Sequence, residues 1–84
     1  MQSFKFIVKD PVGFHARPVS KLVQEALAFQ SNITLKFFDT SVNLKSIFSV
    51  LALAVPTNSQ IEIIVDGIDE ASAIDHLKKI LESL

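Results

Sequence analysis

Apolar and polar residues alternate in some stretches of this chain and recur at helical spacing in others. From Ser3 to Lys9, Phe4, Phe6 and Val8 share one face, with Lys5, Ile7 and Lys9 on the other. That period of two is the mark of a half-buried strand. Asn32 to Phe38 gathers Ile33, Leu35 and Phe37, and Gln60 to Asp66 gathers Ile61, Ile63 and Val65. Ile7, Phe38 and Ile64 interrupt the polar faces of these strands. Asp39-Thr40-Ser41 reads as a turn into a short fourth strand, Val42 to Leu44. The helical stripes are Ala16, Val19, Leu22, Val23, Ala26 and Leu27, and later Ala73, Ile74, Leu77, Ile80, Leu81 and Leu84. Asp69 is placed to cap the last helix, and Gly67 breaks the strand before it. Ser46 to Val55 reads as a shorter apolar helix that Pro56 ends.

The order strand, helix, strand, strand, short helix, strand, helix predicts an α+β domain. Long helices in the first and last slots cover one face of a four-stranded sheet and leave the other open. The 84 residues suffice for one domain, spanning 1–84, and 49% of them are hydrophobic. No cysteine is present, so packing must supply the stability without disulfides or thiolate–metal bonds. That usage fits a cytoplasmic protein. The first residues lack the pattern of a signal peptide. No apolar run approaches the roughly 18 residues of a membrane span. A net charge of −1 argues against nucleic acid as the main partner.

Charge distribution adds more than its sum. Between Pro11 and Gln24 the only formal charges are Arg17 and Lys21, both positive, and His15 lies beside them. In Gly13-Phe14-His15-Ala16-Arg17-Pro18, Pro18 is tolerated only in the first turn of the helix that follows. The helix therefore starts at His15 or Ala16, and His15 stands at its N-terminus. Amides of a first helical turn have no internal partners, and with the helix dipole they form an anion site. Arg17 adds a planar fork matched to phosphate oxygens. The groups that oppose extra positive charge on an imidazole thus welcome a phosphoryl dianion. Phosphoryl transfer asks mainly for such positioning and charge stabilisation. No second acid, base or thiol is expected to accompany His15, so the sequence shows no complete hydrolytic site. His76, beside the Ile74 and Leu77 stripe, reads as a surface residue, and two histidines without cysteine make no zinc site.

A second segment, Asn43-Leu44-Lys45-Ser46-Ile47-Phe48-Ser49-Val50, runs from strand into helix. Ser46 is a natural N-cap, and equally a hydroxyl where an added phosphate would meet backbone amides. Leu44, Ile47 and Phe48 are too many for so short a helix to cover. They form either core or an exposed apolar patch suited to a partner.

Together the two segments, Gly13 to Pro18 and Val42 to Ile47, resemble the signatures of the HPr family. These are the histidine-containing phosphocarriers of the bacterial sugar phosphotransferase system. The resemblance spans essentially the whole chain. It implies an open-faced β-sandwich, with four antiparallel strands covered on one face by three helices. It implies that Nδ1 of His15 takes a phosphoryl group from phosphorylated enzyme I and yields it to the IIA domains of sugar permeases. Arg17 and the backbone of Ala16 would support the phosphate, and no cofactor is implied. Ser46 would be the substrate of an HPr kinase/phosphorylase, and the modified protein would engage a transcriptional regulator. Phe14, Ser20, Lys21, Leu44, Lys45, Ile47, Phe48 and Ser49 would form or flank the docking surface of a monomer.

Phe14, Val19, Ser20, Phe48, Ser49 and Ala54 depart from the residues common in that family and bear on partner preference. The retained His15 argues against the regulatory paralogue that lacks it, while the nitrogen-regulatory branch stays open. The expected role is a relay partner rather than an independently turning-over enzyme. The alternatives are a regulatory binding module acting through the Ser46 surface and a small-ligand-binding module.

Overall fold

In the computed structural model, which describes residues 1–84, the chain forms β1 (Gln2–Ile7), α1 (Ala16–Ala26), β2 (Asn32–Phe37), β3 (Thr40–Asn43), α2 (Ile47–Ala52), β4 (Gln60–Asp66) and α3 (Glu70–Ser83). The strands make one sheet in the order β1-β4-β2-β3, antiparallel throughout. The last strand thus slots between the first and second. Register aligns the apolar faces: Phe4 lies opposite Ile63, Ile63 opposite Leu35, and Leu35 opposite Val42. The neighbouring row on the other face is Lys5, Glu62, Lys36 and Ser41, so opposite charges face one another across strands. The helices cover the apolar face, and Ile33, Leu35, Ile61, Ile63 and Val65 join Val19, Leu22, Val50, Leu77 and Leu81 in one core. This is the open-faced α+β arrangement the sequence predicts.

Differences concentrate at element ends. β2 stops at Phe37, because Phe38 takes a left-handed conformation (φ 53°) in the turn to Thr40 and stands 81% exposed. Leu27 and Leu84, placed on the helical stripes by spacing, are exposed. β3 lies two residues early at its start and ends at Asn43. There the side-chain oxygen accepts from the amide of Lys45 (2.9 Å) and the carbonyl from that of Ser46 (3.0 Å). Leu44 is thereby turned off the strand and into the core. α2 closes at Ala52 rather than Val55, since Ala54 adopts φ 51° just beyond it. Asp69 is the N-cap of α3, yet its carboxylate turns away from its own helix. It accepts from the amides of Gln30 (2.8 Å) and Ser31 (3.0 Å) and from the buried Ser31 hydroxyl. That hydroxyl, followed by the Gln30 amide, holds the Asp69 carboxyl below the usual aspartate range. No helix is long and apolar enough to cross a membrane.

Candidate phosphoryl site

The loop from β1 to α1 is built on Asp10. Its carbonyl accepts the Gly13 amide and its Oδ1 the Val12 amide, each at 2.9 Å. These nested bonds reverse the chain locally. Gly13 then adopts φ 82°, and a Cβ there would fall 2.5 Å from the Val55 carbonyl oxygen, so only glycine fits. The Phe14 amide donates to that same carbonyl at 2.9 Å, while its side chain enters the core. Residues 13 and 14 are thus pinned to the segment after α2, and the chain emerges at His15. That residue is the N-cap of α1 in extended conformation (φ −116°, ψ −175°), with its carbonyl accepting from Val19 at 3.1 Å.

The His15 side chain makes no cap bond, so the ring is free for other work. The amides of Ala16 and Arg17 have no partner within the chain, and Pro18 has none to offer. No acidic residue occupies the first turn of the helix. Arg17 and Lys21 are exposed and enter no ion pair. The helix itself therefore supplies unpaired amides and basic side chains, and no acid of its own, at the place the sequence assigned to an anion. Ser20 is half-buried on the next turn of α1.

His15 is less open than its motif implies. Its side chain is 33% exposed, and Nε2 is sealed from solvent without a hydrogen-bond partner. Nδ1 is the ring nitrogen that is not enclosed. Nε2 lies 3.4 Å from Oδ1 of Asp10, whose carboxylate is itself only 18% exposed. Sequence reasoning described an entirely basic neighbourhood and missed this carboxylate. The available signal was Asp10-Pro11, a turn-opening pair so few residues upstream that a tight loop must return it to His15.

In the second segment, Ser46 occupies the N-cap position of α2, but its hydroxyl donates to Ser49 Oγ (2.9 Å) instead of capping. Phe48 is 82% exposed, with Ile47 and Ser49 half-buried beside it. Two residues expected at the docking surface are not on it. Leu44 is wholly buried, and Phe14 is 7% exposed, because each follows a turn that points its side chain under the helices. Lys45 is half-buried, and its ammonium donates to the Phe29 carbonyl (2.7 Å) just past α1. α1 packs on α2, and the Val55 carbonyl joins the His15 loop to the end of the Ser46 helix. His76 is half-exposed and bonded to Glu25 (2.9 Å), tying α3 to α1 away from the His15 loop.

A family profile described as "PTS HPr component phosphorylation site" matches residues 2–83. The phosphocarrier protein HPr of Mycoplasma capricolum is 46% identical over 79 residues, which are 94% of this chain and 89% of that protein. A solved histidine-containing phosphocarrier protein of Mycoplasma superposes with a TM-score of 0.95 at 43% identity, covering 98% of this chain and 93% of that one. An HPr dimer from Thermoanaerobacter tengcongensis superposes with a TM-score of 0.79 at 34% identity, covering 99% and 95%. Profile, sequence and fold agree over nearly the full length, and this chain belongs to the HPr family, the phosphocarriers of the phosphotransferase system.

Proposed function

We propose that the phosphoryl group travels on Nδ1 of His15, arriving from phosphorylated enzyme I and leaving to the IIA domains of sugar permeases. The observation that carries this reading is the partnerless pair of amides at Ala16 and Arg17, beside a histidine whose other ring nitrogen is buried. The Nδ1 lone pair attacks phosphorus as the bond to the donor lengthens. The spreading negative charge on the equatorial oxygens meets the helix amides and the Arg17 guanidinium. Phe48 and Ile47, exposed and half-exposed, form the apolar part of the docking surface, with Arg17, Ser20 and Lys21 as its polar and basic part. The protein acts in the cytoplasm as a single copy, so that one face can serve successive partners.

Ser46 is the regulatory position in the same reading, as the substrate of an HPr kinase/phosphorylase. A phosphate there would put a dianion two residues from Phe48 and slow docking of enzyme I. The Ser46-phosphorylated form would also present a surface for a transcriptional regulator.

Incubation with phosphoenolpyruvate and enzyme I tests the central claim. Acid-labile, alkali-stable phosphate on wild type and none on His15→Ala is the expected result. Labelling that survives His15→Ala would move the phosphate to another residue. A sugar-branch enzyme I that labels its own HPr but not this chain, where the nitrogen-branch enzyme succeeds, would assign the protein to the nitrogen branch.

A further inference from the structure

We infer that Asp10 is a positioning residue for the transfer, selecting the tautomer of His15 that leaves Nδ1 free to attack. The inference rests on the phosphocarrier reading for its purpose and on the geometry of the loop for its substance. A neutral imidazole carries one proton, on either Nδ1 or Nε2, and only the unprotonated nitrogen is nucleophilic. Nothing in the sequence motif decides between them. In the folded chain Nε2 is enclosed and unbonded, and the only carboxylate paired with it is that of Asp10, at 3.4 Å. A buried ring nitrogen facing a carboxylate is far better protonated than bare, since a lone pair there would confront negative charge with no donor to answer it.

Oδ1 of Asp10 is not free to drift. It accepts the Val12 amide at 2.9 Å, and the residue's carbonyl holds Gly13. At 3.4 Å the Nε2 contact is longer than a well-formed hydrogen bond, a common state of catalytic contacts before the reacting partner arrives. The chemistry of transfer tightens it. When Nδ1 forms its bond to phosphorus, the donor keeps the electron pair of the bond that breaks, and Nε2 keeps its proton. The ring therefore gains a positive charge, and Asp10 is the carboxylate facing it. When the phosphoryl group departs, the electron pair returns to Nδ1 and the ring becomes neutral again. No proton is gained or lost by the ring in either step.

The test is ¹⁵N NMR of the His15 ring in the full-length protein at pH about 8.5, well above the ordinary histidine range. Wild type, Asp10→Asn and Asp10→Ala are compared, with enzyme I-dependent phosphorylation measured in parallel. Wild type is expected to show the Nε2–H tautomer. Asp10→Asn, which retains an acceptor oxygen, should keep it. Asp10→Ala should shift population toward Nδ1–H and lower the turnover rate about tenfold with little change in KM, the low end of the roughly 10–100-fold loss on removing the hydrogen-bonding partner of a metal-bound histidine. A wild type found as Nδ1–H, or a tautomer ratio that Asp10→Ala leaves unchanged, overturns the inference. A wild type found as Nδ1–H overturns the inference even if Asp10→Ala fails to fold, and Asp10→Leu, compared at the same pH, then supplies the second carboxylate-free ratio. The tautomer is read without any phosphate, so an inert wild type that is Nε2–H and shifts toward Nδ1–H in Asp10→Ala would sustain the Asp10 assignment while refuting transfer on His15.

Discussion

Leu44 and Phe48 are four residues apart, both apolar, and the structure gives them opposite duties. Leu44 is 0% exposed in the central core, and Phe48 is 82% exposed on α2. Leu44→Ala removes three carbons from a filled site. At about 0.8 kcal/mol per buried methylene the transfer loss is about 2 kcal/mol. Incomplete collapse of the cavity brings the total to about 3 kcal/mol, inside the range of about 2–5 kcal/mol for such truncations. A domain of this size melts about 4–8 °C lower per kcal/mol, so Tm should fall by about 12–24 °C. Phe48→Ala vacates no packed site and should shift stability by no more than about 0.5 kcal/mol. Its cost should appear instead as a raised KM for enzyme I, because a large exposed aromatic is the kind of side chain that anchors an interface. Urea and thermal unfolding by circular dichroism, with transfer kinetics on the same samples, separate the two effects. The reasoning fails if Phe48→Ala loses as much stability as Leu44→Ala, or if Leu44→Ala melts within about 3 °C of wild type.

Three further outcomes are expected. Ser46→Asp keeps a good N-cap residue, so Tm should hold within a few degrees while KM for enzyme I rises; unchanged kinetics would detach Ser46 from the docking surface. Ala54→Gly relieves a non-glycine residue at φ 51° and should stabilise the fold by about 0.5–1 kcal/mol in urea melts, with no stabilisation counting against strain there. Asp69 has a carboxyl depressed by the Ser31 hydroxyl and the Gln30 amide, so the unfolded chain binds its proton more readily than the folded one. Its contribution is whole above the usual aspartate range and is lost as pH falls through that range toward the depressed folded value; Asp69→Asn should flatten this part of the acid-unfolding profile, and an unaltered profile would show that the carboxylate is not a source of it.

The unpartnered amides that make α1 an anion site are a consequence of chain geometry alone, and Pro18 announced them in advance. Asp10 was not legible in the same way. Its role depends on a turn whose two bonds fold the side chain back toward a ring five residues later. Leu44 and Phe14 were misplaced for a related reason. Apolar character names a residue as core or interface without choosing, and the choice is made by where a turn aims the Cα–Cβ bond.

Local patterning by itself determined the elements, the covered face of each strand and the position of His15 at a helix start, because these follow from period, proline stereochemistry and glycine tolerance within a few residues. Only the tertiary structure decided that β4 lies between β1 and β2, that Val55 braces the His15 loop, and that Nε2 of His15 faces Asp10. Those features join residues through long-range pairing and packing, and periodicity carries no information about which distant partner a face will meet.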